Sequence, residues 1–176
     1  IAGGRFELDG QPIQVTPNKG EFTLHGGERG FDHYIWESEP IEEGDTVGVR
    51  LTRVSPDGEE GFPGTLTATV EYRLTPDNAL RLDYAVTADA PTVHNLTNHS
   101  YFNLAGEGSG TVEDHVLHVN ASRFTATDER QIPTGELAEV AGTPLDYRQP
   151  HAIVDALRDA SSLEIVRARG IDHNYV

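Results

Sequence analysis

The chain reads as an all-β protein, an antiparallel β-sandwich, and three observations predict it. From Thr65 the residues alternate: Leu66, Ala68, Val70, Tyr72 and Leu74 share one face, and Thr65, Thr67, Thr69, Glu71 and Arg73 share the other. A period of two belongs to a strand. Pro76-Asp77-Asn78 then turns the chain, and Leu80, Leu82, Tyr84 and Val86 repeat the pattern. That is an antiparallel hairpin expected to be wet on one face and dry on the other. Finally, Gly, Pro, Asn and Asp clusters punctuate the whole chain, and only Pro150 to Ala160 suits a helix. Many short strands with frequent turns and one short helix argue a sandwich.

Taken in order, Arg5 to Leu8 alternates, Asp9-Gly10 turns, and Ile13 and Val15 alternate again. Asp-Gly between alternating runs is a strong hairpin signal. Asn18 to Gly20 makes a further turn. In Leu24-His25-Gly26-Gly27 two glycines directly follow a histidine, which lets the backbone approach whatever His25 faces. An incidental His in a Gly-rich hairpin fits the same residues equally. Phe31, Tyr34, Ile35 and Trp36 form an aromatic cluster read as core, although sugar sites also use aromatic faces. Val47, Val49 and Leu51 mark a strand, and Ser55 to Gly64 a loop. After the hairpin, Val93 to Leu96 leads into the next motif. Val116, Leu117 and Val119 suggest a short strand, Phe124 another, and Ile132 to Gly135 a turn. The helix at 150–160 would place Ile153, Val154 and Leu157 on one side.

Composition narrows the function. The chain has 176 residues, enough for one domain burying roughly 70% of its unfolded surface. No repeat or linker divides it, so residues 1–176 are expected to be a single domain. With 29 Asp+Glu against 13 Lys+Arg, its formal net charge is −16. Nucleic acid and anionic membranes both want clustered positive charge, so neither is expected as a partner. A neutral ligand such as a sugar is compatible. There is no Cys, which excludes disulfides and thiolate metal sites. His115 and His118 lie three apart on a predicted strand and point to opposite faces, and no H-x-H or H-E-x-x-H spacing occurs, so no metal is expected. No apolar run approaches the ~18 residues of a membrane-spanning helix. The chain contains no Met and begins Ile1-Ala2-Gly3-Gly4. It is therefore expected to lack its natural N-terminus, and a cytoplasmic location is assumed.

The richest stretch chemically is Asn95-Leu96-Thr97-Asn98-His99-Ser100-Tyr101-Phe102-Asn103-Leu104-Ala105-Gly106. It concentrates hydrogen-bonding side chains and fits neither a helical nor a strand period. It reads as a strand that ends and turns inward with a histidine at the turn. Histidine titrates near pH 6.5 and can hand over a proton at physiological pH. Read alone, His99 could as well be a buried histidine satisfied by its neighbours.

This stretch resembles the central motif of the aldose 1-epimerases, and other matches follow in that family's order. Leu24-His25-Gly26-Gly27 with Arg29-Gly30-Phe31-Asp32 is similar to its LHGG…GFD segment. Ser55-Pro56-Asp57-Gly58-Glu59-Glu60-Gly61-Phe62-Pro63-Gly64 is similar to its SPDGEEGYPG loop. Ile132-Pro133-Thr134-Gly135-Glu136 resembles its IPTGE turn, and Gly170-Ile171-Asp172-His173-Asn174-Tyr175 its G(F/Y)DHN(F/Y) motif. The resemblance implies a galactose mutarotase-like supersandwich, incomplete at both ends here. It also implies interconversion of the α and β anomers of free hexoses such as galactose and glucose.

That chemistry opens the sugar ring at C1 and closes it on the other face. A base takes the proton of the C1 hydroxyl while an acid protonates the ring oxygen, and the two exchange roles on closure. No metal or organic cofactor is required. The resemblance assigns His99 as the acid and His25 as a second histidine that holds the substrate and polarises the reacting oxygens. It places Ser100 and Tyr101 along the sugar and gives Asp172 the sugar hydroxyls, which a carboxylate orients well through charge-assisted bonds. Two family parts are not found: the substrate-binding Arg of an N-R-I-A segment, expected just before Ile1, and the catalytic Glu, expected beyond Val176. The chain is thus expected to be a central fragment, a monomer or weak dimer, and inactive alone. Two alternatives stay open: a non-catalytic sugar-binding module, and a hexose-6-phosphate epimerase, whose site would need extra Arg residues for the phosphate.

Overall fold

The computed structural model describes all residues, Ile1–Val176, and every sheet in it is antiparallel. The all-β antiparallel class is therefore the class observed. The chain forms two compact units, Ile1–Asn98 and His99–Val176.

In the first unit, β1 (Arg5–Leu8) pairs with β2 (Gln11–Gln14) in the register Arg5 to Gln14. Asp9 and Gly10 both have positive φ, 49° and 76°, as a two-residue hairpin turn requires. A four-stranded meander follows: β3 (Glu37–Glu43), β4 (Thr46–Ser55), β5 (Leu66–Leu74) and β6 (Leu80–Ala88), neighbours in that order. Strand β3 was not anticipated, because Glu-Ser-Glu-Pro-Ile-Glu-Glu offers no alternation. It is an edge strand, where both charge and Pro40 are tolerated.

On β5, Leu66, Ala68 and Val70 are buried, as the alternation requires. The rest of that face is not dry: beside the turn Leu74 is 51% exposed and Leu80 49%, and on β6 Tyr84, opposite buried Val70, is 39% exposed. The expected dry face is real only along half of the hairpin. The polar side carries a ladder of ion pairs. Glu71 accepts from Arg50 and Arg73, which hold its carboxyl below the usual range, and Arg73 also reaches Glu43 at 2.8 Å. Pairs of this kind, screened by solvent, add little to stability.

The second unit contains β7 (Val116–Leu117), β8 (Arg123–Thr127), β9 (Pro133–Glu139), β10 (His151–Ala152), α1 (Ile153–Leu157) and α2 (Leu163–Ala168). β8 pairs with β9, and β7 with β10. Its core joins Phe124, Val140, Leu145, Tyr147, Ala156 and Ile165, with Ile171 and Tyr175 packed against it. Residues 174–176 lie along β8: Thr125 N donates to Asn174 O (2.9 Å) and Val176 N to Arg123 O (2.8 Å). The Tyr175 hydroxyl, pushed up to about 12 by burial, donates to Leu145 O.

Several expectations need correction. No strand forms between Asp89 and His115, so the histidine motif is not a strand end. Ile132 to Gly135 is not wholly a turn, since β9 begins at Pro133. The helix at 150–160 is only Ile153–Leu157, and it buries Val154 and Ala156 while Leu157 is 39% exposed. A second helix, α2, was missed. Ser162 caps its start and Arg169 ends it in the left-handed region. Six residues are too few for a periodic signal.

Candidate functional site

His25 lies in the first unit, on a turn rather than a strand, and is exposed. The backbone is left-handed at three consecutive residues: His25 (φ 53°), Gly26 (90°) and Gly27 (111°). Glycine adopts such angles freely, whereas His25 does so only if its surroundings hold it. Gly27 N donates to Leu24 O to close the turn. Gly30 is also required, because a Cβ there would stand 2.3 Å from His25 O.

The loop Ser55–Gly64 packs beside this turn. Its Glu59 carboxylate receives both Arg53 Nη2 (2.6 and 2.7 Å) and Ser55 Oγ (2.5 Å). Burial disfavours the charge on Glu59, but hydrogen bonds from Arg53, Ser55 and Tyr34 outweigh it and lower its pKa. The Arg53 guanidinium stacks 3.7 Å from the Tyr34 ring centroid and 4.5 Å from that of Phe31. The Tyr34 hydroxyl is raised, first by its bond to Glu59 and then by burial. The neighbouring Glu60 turns the other way and accepts Glu28 N (3.2 Å) and Arg29 N (3.1 Å).

The aromatic cluster is only partly core. Trp36 is half-buried with its Nε1 donating to Phe31 O (3.0 Å), and Ile35 is 99% exposed. A hollow of about 410 Å³ on the sheet is lined by Glu43, Glu71, Arg73, Arg81 and Asp83 among others. It is a solvated ion-pair network and contains none of the five residues singled out from sequence.

The other four are in the second unit. His99 and Ser100 are exposed, and Tyr101 is 90% exposed with its ring 5.3 Å from that of His99. The reading of His99 as a buried core histidine therefore does not hold. The following turn is knitted by Asn103, whose Oδ1 accepts Ala105 N and whose Nδ2 donates to Gly110 O. His115 accepts Leu104 N at Nε2 (3.0 Å), a holding role that the sequence did not signal.

Asp172 is exposed at the start of the segment that runs along β8. Its backbone N donates to His173 Nδ1 (3.2 Å). The His173 side chain is buried, edge-on to Phe124 and with Nε2 3.5 Å from Glu164. Asn174 Nδ2 donates to Thr125 Oγ1 (2.8 Å). The structure thus groups His99, Ser100 and Tyr101 on one exposed segment, and holds Asp172 on the rim of the second unit's core.

A family model described as aldose 1-epimerase matches residues 1–176. The chain is 43% identical to galactose mutarotase of Sus scrofa over 175 residues and 42% identical to that of Homo sapiens. It is 40% identical to the aldose 1-epimerase of Escherichia coli (strain K12) over 177 residues. Each match takes in nearly the whole chain, which spans about half the length of these curated relatives (48–49%). Among solved structures, the galactose 1-epimerase of Lactobacillus acidophilus NCFM superposes with a TM-score of 0.90 at 33% identity. That match takes in 98% of this chain and 50% of the other. With a family match along every residue and the same fold in a solved relative, this chain belongs to the aldose 1-epimerase family.

Proposed function

We propose that the gene product carrying this chain interconverts the anomers of a free aldose such as galactose or glucose. The observation that carries the reading is the unbroken family match from Ile1 to Val176, within which His25 and His99 both stand exposed. His99 protonates the ring oxygen as the C1–O5 bond breaks and takes that proton back on closure. His25 polarises the reacting oxygens. Ser100 and Tyr101 line the sugar, and the Asp172 carboxylate accepts its hydroxyl protons. Glu59 is unsuited as the base that takes the C1 proton. Arg53 and Ser55 occupy its oxygens and its pKa is low, so it is a weak proton acceptor. The reading assigns that base to no carboxylate of the chain, and the 176-residue chain alone is expected to turn over slowly.

Polarimetry on freshly dissolved α-galactose and α-glucose tests the reading. The gene product should speed the drift of rotation to equilibrium, and His99→Gln should remove most of that acceleration. Normal turnover by His99→Gln, or no acceleration by the native protein, would sink it.

A further inference from the structure

The geometry points to Asn18 and Glu60 as positioning residues that fix His25 from opposite sides without touching the sugar. This rests on the reading of His25 as a substrate contact. Asn18 brackets the turn: its Nδ2 donates to Leu24 O (2.9 Å) and Gly27 O (2.7 Å), and its Oδ1 accepts Leu24 N (2.8 Å). Those bonds fall on the residue before His25 and on the second residue after it. All three polar positions of the amide engaged there are satisfied by backbone, so the side chain replaces a sheet partner that a turn lacks.

Glu60 closes the other side. One carboxylate oxygen accepts Glu28 N and the other Arg29 N, a fork across two successive amides just beyond Gly27. A charged acceptor makes these the stronger kind of hydrogen bond. The fit is tight, since a Cβ on Gly27 would lie 2.4 Å from Glu60 Oε2. Glu60 is itself anchored. Its carbonyl accepts Thr16 N (2.8 Å), and a Cβ on the adjacent Gly61 would lie 2.3 Å from Gln14 O. A left-handed histidine followed by two unrestrained glycines would sample many orientations. The two side chains tie the turn to the end of β2 and to the Ser55–Gly64 loop, and so select one. The tandem glutamates of that loop thus divide their work: Glu59 neutralises Arg53, and Glu60 holds the turn.

A double-mutant cycle in the gene product tests this. Asn18→Asp removes both donors, and Glu60→Gln puts an amide where an oxygen met a backbone N–H; both keep the side-chain shape. Asn18→Ser serves if Asn18→Asp does not fold. Each variant should lower kcat/KM roughly ten- to a hundredfold, the scale of an ångström-level misplacement of a reacting group. On a His25→Asn background the same changes should cost less than about twofold, because there is no imidazole left to misplace. The imidazole C–H resonances of His25 should move in both variants, while those of buried His173 stay. Unchanged kcat/KM in either variant, or losses that simply add to that of His25→Asn, overturns the positioning role. Full turnover by His25→Asn overturns the role together with the assignment of His25, and His99→Gln then reports separately on the family reading.

Discussion

The two units hold their candidate residues by different physics. In Ile1–Asn98, His25 sits on a left-handed turn fixed by side-chain-to-backbone hydrogen bonds and by glycines too close to neighbours to be replaced. In His99–Val176, Asp172 borders a contiguous apolar core and continues into a segment paired with β8. Hydrogen bonds are directional and individually worth about 1 kcal/mol net, whereas apolar burial is non-directional and grows with area. Damage to the first unit's clamps should therefore change what His25 does, and damage to the second unit's core should change whether the fold survives.

The largest effect bears on activity. His99→Gln in the gene product should slow mutarotation about 10²- to 10⁴-fold, as loss of a general acid does, with little change in melting temperature because the side chain is exposed. Polarimetry and a thermal melt check both halves. Next comes packing. Leu145→Ala, at a fully buried position, should cost about 2 to 5 kcal/mol in urea denaturation. Leu74→Ala, half-exposed on β5, should cost far less, about 0.5 kcal/mol. Equal losses at the two positions would show that burial does not set the cost of removing an apolar side chain here.

Glu59→Gln sharpens the comparison through pH. It leaves Arg53 buried without its counter-charge, a change that costs about 3 kcal/mol near neutral pH. The folded pKa of Glu59 lies below its ordinary 4.5. Its contribution is thus complete above that value and disappears as pH falls through the lower folded value. Urea midpoints of the native protein and Glu59→Gln should differ most near neutral pH and converge in acid. An effect as small as that at Leu74 is expected at Ser162. Its Oγ accepts Ile165 N at a long 3.5 Å, so Ser162→Ala should cost about 0.5 kcal/mol in the same assay.

Much of the fold was legible because period-two alternation survives in β4, β5 and β6, and because Asp9-Gly10 leaves a strong turn signal. Where alternation was missing, the reading failed. β3 is nearly all polar because it is an edge, and α2 is shorter than the two or three turns that reveal a helical stripe. The stretch around His99, expected as a strand that ends at a turn, has no clean apolar period to support one: no ladder forms there, and Val93 just before it is 38% exposed. His25 and Asp172 were legible only through the resemblance of their motifs. Asn18 was visible merely as a turn residue, and Glu60 merely as part of a loop.

Sequence by itself determined the antiparallel class, the hairpin at Pro76-Asp77-Asn78 and the family, because those depend on patterns between near neighbours along the chain. Only the tertiary structure decided that Glu59 serves Arg53 while Glu60 serves the amides of Glu28 and Arg29, and that His173 is buried while His99 is not. Two adjacent carboxylates, like two histidines in rich polar motifs, are chemically the same on paper. Folding separates them: Glu60 meets the amides of Glu28 and Arg29 from far along the chain, Glu59 meets Arg53 and Ser55 close by, and burial sets the His173 side chain apart from His99.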